Sequence, residues 1–233
     1  NGVRMEVETH IVTGAATALR NIAKCISQVG IDVEGMVFSG LASSYSVLTD
    51  TERELGVILI DFGGGTTDIC IFTEGSPAHC AVLPIGARNV TNDLAIGLRV
   101  SLESAEKIKL ALERPPTVAV EVDDEGKSHD KKESDSLDIA SLGIAEDLRS
   151  VSRKTLVDGI MKPRLREMFN MIKLEIQKAN VAGLTPSGVV LTGGGATTMG
   201  IADIAKQELQ MPVRIDPTKH SSAVVSRELK EVV

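Results

Sequence analysis

The chain has 233 residues, with 25 Lys and Arg against 32 Asp and Glu and a formal charge of −7. Apolar residues make up 42% and charged ones 24%, the balance of a globular protein with enough chain for its own core. No apolar run approaches the roughly 18–20 residues of a membrane span, the acidic balance argues against nucleic acid as a partner, and four Phe, one Tyr and no Trp leave an aliphatic core with few rings for stacking bases.

Residues 3–11 alternate, with Val3, Met5, Val7 and Ile11 on one side and Arg4, Glu6, Glu8 and His10 on the other, which predicts a half-buried strand. A strand with nothing before it to pair with implies missing upstream sequence. A helix is expected from about 16 to 29, with Leu19, Ile22, Ala23 and Ile26 at helical spacing and Gly30 as its stop. A strand over 34–39 and a small-residue helix over 40–48 follow. Strand 56–62 is nearly all apolar, so both its faces should be buried. Gly63–Gly65, strand 67–73, a turn at 74–77 and strand 79–85 then read as an antiparallel meander.

From Gly86 the texture changes. Helices are expected over 90–98 and 102–112, then a strand over 117–122, the polar stretch DDEGKSHDKKESD as an exposed hairpin loop, and a returning strand near 137–142. A long helix over 155–180 is interrupted at Pro163. Beyond Gly183, strand 188–192, helix 199–209 and strand 213–215 restore the α/β pattern. The fold class is α/β. One α/β subdomain, 14–88 and 181–233, is split by a smaller α+β subdomain inserted at 89–180, and residues 1–13 are the last strand of an upstream domain.

Cys25, Cys70 and Cys80 are odd in number and show no Cys-x-x-Cys spacing, so neither a zinc site nor a disulfide framework is expected, and a reducing compartment is the simpler reading. Cys70 and Cys80 fall in adjacent strands as small core residues. His10, His79, His129 and His220 lack metal-ligand spacing. The N-terminus has no signal-peptide pattern.

Three constellations carry chemistry. The first is Asp61-Phe62-Gly63-Gly64-Gly65-Thr66-Thr67-Asp68, between two apolar strands. Glycines without Cβ let backbone N–H groups approach a polyphosphate, Thr66 and Thr67 add hydroxyls, and Asp61 at a strand end suits water-bridged Mg²⁺. A plain glycine hairpin needs neither three glycines nor flanking acids. The second is Gly193-Gly194-Gly195-Ala196 after a buried strand, where a helix start attracts anions or merely packs tightly. The third is Glu106 and Lys109, at i and i+3 on one helix face, which suit a ribose and an adenine edge or form a surface ion pair.

The DFGGGTTD hairpin with the LTGGGA turn resembles the superfamily of actin, sugar kinases and heat-shock ATPases. GVRMEVETHIV, LPIGARNVTNDLAIGL, LESAEKIK, IMKPRLREMF and GVVLTGGGA together resemble FtsA, a family of actin-like bacterial cell-division proteins. The resemblance implies an RNase H-like, actin-type ATPase subdomain. ATP would be held with Asp61 facing Mg²⁺, Gly63, Gly64, Gly65, Thr66 and Thr67 as a phosphate hairpin, Glu106 and Lys109 on ribose and adenine, and Gly193, Gly194, Gly195 and Ala196 as a wall. It implies slow ATP hydrolysis at most, with no catalytic residue named.

The resemblance further implies that FtsZ filaments are linked to the membrane. The FtsZ C-terminal peptide would dock where Pro163, Arg164 and Glu167 match a Pro-Arg-x-x-Glu pattern, which is equally an i, i+3 ion pair. The full-length protein would self-associate into filaments in the cytoplasm, at the inner face of the bacterial membrane where division occurs. Membrane contact would go through a helix outside this chain. The family's first phosphate loop is not found, and PTKHSSAVVSRELKEVV after Asp216 departs from its pattern, so the chain reads as the family's second half. Alternatives are a pilus-assembly scaffold, a small-molecule kinase or a chaperone ATPase of the same superfamily.

Overall fold

The computed structural model describes residues 4–7, 9–113, 121, 122, 128, 129, 135–144, 146 and 150–216. Before the sheet come three helices, α1 (Ala16–Ser27), α2 (Ser39–Val47) and α3 (Asp50–Leu55). The last starts on a capping box in which Thr49 and Glu52 satisfy each other's backbone N–H.

Strand β1 (Val57–Phe62) is almost wholly apolar, and its side chains divide between two buried clusters. Ile58, Ile60 and Phe62 face one cluster, Val57 and Leu59 the other. β1 pairs antiparallel with β2 (Thr67–Thr73), which pairs antiparallel with β3 (Ser76–Leu83). β3 begins earlier than the pattern suggests. The turn is the two-residue Glu74-Gly75, with φ of 52° and 78°. Two positive φ values make the tight hairpin whose twist matches its strands, and edge strand β3 tolerates Pro77.

After β3 come α4 (Ala87–Leu98) and α5 (Leu102–Glu113). Two small antiparallel ladders follow, β4 (Glu121–Val122) with β5 (Ser128–His129), and β6 (Ser136–Asp138) with β7 (Ser150–Ser152). A strand is thus present near 137 but stops at Asp138, and Ala140–Leu142 form a 3₁₀ turn. Most of the expected strand 117–122 and of the polar stretch lies outside the described residues, as do His220 and the chain after Asp216. The long helix runs as α6 (Arg153–Leu156), a π-helical turn at Val157–Met161 and α7 (Lys162–Lys178). Pro163 follows just after the π-helical turn, so the interruption expected there is a π-bulge within a continuous helix.

β8 (Val189–Thr192), α8 (Ile201–Leu209) and β9 (Val213–Ile215) complete a five-stranded mixed sheet of order β3-β2-β1-β8-β9. β8 runs parallel to both β1 and β9. One sheet face is covered by Val90 and Leu94 of α4, Ile108 and Leu112 of α5, Phe169 of α7 and Ile204 of α8. Phe62 stacks on Phe169 at 6.2 Å between ring centroids, tying the end of β1 to α7. The other face carries a smaller cluster with Val47 of α2.

Two expected strands form no ladder here. Among the described residues of 3–11 there is no strand, and Met5 and Ile11 are 85% and 77% exposed. Residues 34–38 also form no ladder, and Ser39 already starts α2. Alternation gives a strand only where a second strand supplies hydrogen bonds, and none lies beside either segment among the described residues. For the same reason α1 forms as expected but buries no residue.

Candidate functional site

The β1–β2 turn is fixed to α4 through its carbonyls. Gly63 N–H donates to Thr66 O at 2.9 Å, and the first amides of α4, Ala87 and Arg88, donate to Gly63 O and Gly64 O at 2.9 and 2.8 Å. A side chain at Gly86 would meet both carbonyl oxygens, so only glycine permits this approach. Gly64 and Gly65 face open space, and among the described residues their N–H groups donate to no acceptor. Thr66 is exposed. Thr67 is fully buried and donates to Ile85 O at 2.8 Å, so its hydroxyl braces the sheet instead of facing outward.

Beside this turn lies a cleft of about 580 Å³, within the size range of cofactor pockets. Its lining includes Gly64, Arg88, Thr91, Glu106, Lys109, Gly194 and Gly195. Three motifs far apart in sequence therefore meet at one place. Lys109 is buried and donates to Glu106 Oε2 at 2.8 Å and to Thr91 Oγ1 at 3.0 Å. Thr91 in turn donates to Glu106 Oε2 at 2.6 Å. Burial pushes the Glu106 carboxyl up, but the bonds from Lys109 and Thr91 and the charges of Lys109 and Arg88 outweigh it, so Glu106 titrates below its usual range. Lys109 is thus buried beneath a half-exposed Glu106, and the charge-matched pair is a fixture of the cleft wall.

Gly193 turns the chain at φ +86°, and a Cβ there would collide with Asp61 Oδ1 and, at 2.8 Å, with Phe62 O. Gly195 packs against the Phe62 ring, Ala196 is buried, and Gly194 is open to the cleft. Asp61 is not in the cleft lining. It points to the α2 side of the sheet, where Ser43 Oγ donates to its Oδ2 at 2.5 Å. Asp68 is its ladder partner and accepts from Ser39 Oγ. Burial, reinforced by the charge on Asp61 and opposed by the Ser39 bond, raises the Asp68 carboxyl. Thr192 Oγ1, next in register to Asp61, is buried and has no hydrogen-bond partner among the described residues. Two carboxylates and an unused hydroxyl suit a hard cation that keeps most of its water. Among the described residues no three acidic, His or Cys side chains gather into a fuller metal cage.

Arg164 lies elsewhere, on α7. It forks onto Asp93 of α4 at 2.6 and 2.9 Å and reaches the exposed Glu167 at 2.5 Å. Sequence reasoning missed Asp93, Ser39, Ser43, Thr91 and Arg88. Arg88 had a signal, since a cation in a helix's first turn opposes the helix dipole unless an anion is nearby. The others had none, because their roles depend on which elements pack together.

A family model described as "Cell division protein FtsA" matches residues 58–229. The cell division protein FtsA of Pseudomonas aeruginosa is 40% identical over 215 residues, covering 92% of this chain and 48% of that protein. The chain spans about half the length of the curated relatives it matches. Among solved structures, MreB 5 of Spiroplasma citri bound to AMPPNP superposes with a TM-score of 0.65 at 18% identity, over 94% of this chain and 65% of that one. The MamK double helical filament gives 0.60 at 19% identity, over 94% and 66%. At these identities the two structures establish an actin-like fold. Among the described residues no helix is long and apolar enough to cross a membrane.

Proposed function

Because the chain belongs to the FtsA family of cell division proteins and has an actin-like ATPase fold, we propose that it is the nucleotide-holding part of a division scaffold that binds ATP with Mg²⁺. The observation that carries this is the convergence of Gly64, Glu106, Lys109, Gly194 and Gly195 on one cleft of about 580 Å³.

Glu106 accepts from the ribose hydroxyls, and Lys109 holds Glu106 in place. The free N–H groups of Gly64 and Gly65 take the phosphates, with Arg88 at the start of α4 as the cation. Gly193–Ala196 wall the nucleotide. Asp61, oriented by Ser43, faces Mg²⁺ through water. The ion supplies charge neutralisation of the phosphates. Nucleotide then acts as a clamp between this part and the remainder of a longer protein, and hydrolysis is slow at most.

The FtsZ C-terminal peptide docks on the face bearing Arg164 and Glu167. The full-length protein self-associates and sits at the inner face of the bacterial membrane through a helix outside this chain. In this reading residues 89–180 form the inserted α+β subdomain.

The test is a titration of the full-length protein with Mg-ATP, wild type against Asp61→Ala, and separately with the FtsZ C-terminal peptide. A weaker Mg-ATP complex in the variant supports the reading, and equal affinity overturns the role of Asp61. Peptide binding separates a division scaffold from a pilus-assembly scaffold of the same fold.

A further inference from the structure

Cys70 on β2 and Cys80 on β3 are direct partners in the antiparallel ladder. Both are free thiols, and their Sγ atoms lie 3.0 Å apart. Direct cross-strand partners hold their Cα atoms roughly 4.5–5.5 Å apart, inside the roughly 4.4–6.8 Å that a disulfide spans. The pair therefore meets the Cα spacing that a disulfide needs.

Their surroundings divide the roles. Cys70 is fully buried, while Cys80 is partly exposed on the edge strand. The two thiols share one S–H···S contact in which either sulfur can donate. Of the two, Cys80 reaches solvent, so it is the attacking sulfur that a peroxide meets first, with a resolving thiol already in contact.

We propose that Cys70 and Cys80 form a peroxide-responsive dithiol site that closes into an intrachain cross-strand disulfide. Cys80 thiolate attacks one oxygen of hydrogen peroxide, the O–O bond breaks, and hydroxide leaves, giving Cys80 sulfenic acid. Cys70 sulfur then attacks Cys80 sulfur, the S–O bond breaks, and the Cys70 proton departs with the oxygen as water. The two thiols lose two electrons, and the peroxide is reduced to water. The bond pins edge strand β3 to β2 two residues from Asp68, on the same sheet face. Cys25 is exposed on α1, remote in sequence, and serves as the internal comparison.

The experiment treats the whole chain carrying Cys25→Ser with hydrogen peroxide, then alkylates, maps peptides and measures intact mass. The expected result is loss of two hydrogens, protection of both Cys70 and Cys80 from alkylation, and full reversal by dithiothreitol. Cys70→Ser should instead leave Cys80 as a dimedone-reactive sulfenic acid. Two results overturn the proposal: Cys80 driven to sulfinic acid while Cys70 stays alkylatable, or both thiols still alkylatable at doses that oxidise Cys25 in the unsubstituted chain. If Cys70→Ser does not fold, the peptide map of the Cys25→Ser protein decides alone.

Discussion

Asp61 and Asp68 face each other across the β1–β2 ladder, each held by a serine from successive turns of α2. Ser43 donates to Asp61 and Ser39 to Asp68, so one helix positions both carboxylates beside the glycine turn.

The pair makes Asp68 pH-sensitive. Its folded pKa lies above the ordinary 3.8, chiefly through burial. An acid raised in this way costs stability when ionised. The cost is absent below the unfolded value and is present in full above the folded one. Asp68→Asn keeps an acceptor for Ser39 and should stabilise the fold at pH 7, by about 0.5 kcal/mol at most because solvent screens a half-buried group. Urea titrations at pH 7 and pH 3 check this, and the gain should vanish at the lower pH.

The glycines of the second turn should separate by role. Gly193→Ala forces a Cβ into Asp61 and Phe62 O at a positive φ and should cost about 2 kcal/mol or more. Gly194→Ala meets nothing and should leave stability within about 0.5 kcal/mol while weakening nucleotide binding. Thermal melts with and without nucleotide distinguish the two.

Arg164 is both a surface residue and a brace. Arg164→Ala strands Asp93, whose side chain is only 24% exposed, and should cost about 1–2 kcal/mol. Glu167 is 69% exposed, so Glu167→Ala should stay within about 0.5 kcal/mol. Peptide affinity lost in Glu167→Ala with unchanged melting would locate the docking face. The same loss in Arg164→Ala alone would reflect loosening of α7 on α4.

Much of this architecture was legible in the sequence. β2 matches its expected span, and α4 and α5 lie close to theirs, because buried strands and amphipathic helices announce themselves through local periodicity. The β3 register was not legible. Pro77 suggested a four-residue turn, whereas positive φ at Glu74 and Gly75 makes a two-residue one, and only the true register places Cys70 opposite Cys80. No ladder among the described residues completes the alternation around Met5. The glycine turns, Glu106 and Lys109 stood out by composition and spacing. The Asp93 contact and the α2 serines arise from long-range packing that spacing does not encode.

Arg214 joins β9 to α3 through paired 2.8 Å bonds to Glu52, and donates to Val47 O at 2.6 Å. The Arg214 bonds hold the Glu52 carboxyl down at about 2, against an ordinary 4.5. A depressed acid contributes stability that is full above its unfolded value and lost as pH falls through the folded one. Glu52→Gln should therefore cost about 1 kcal/mol or less at pH 7, since the pair is partly solvated. Across pH 4.5 to about 2 the gap from wild type should close, as denaturation at several pH values would reveal.

The central claim is that a nucleotide's phosphates lie against the open face of the glycine turn. Calorimetric titration of Mg-ATP into full-length wild type and Gly64→Val tests it most directly, because Gly64 lines the cleft and a Cβ there meets no protein atom within 4 Å. The account predicts one site in the wild type and at least about a tenfold loss, roughly 1.4 kcal/mol, in the variant with melting unchanged. Equal affinity in the two proteins would contradict it.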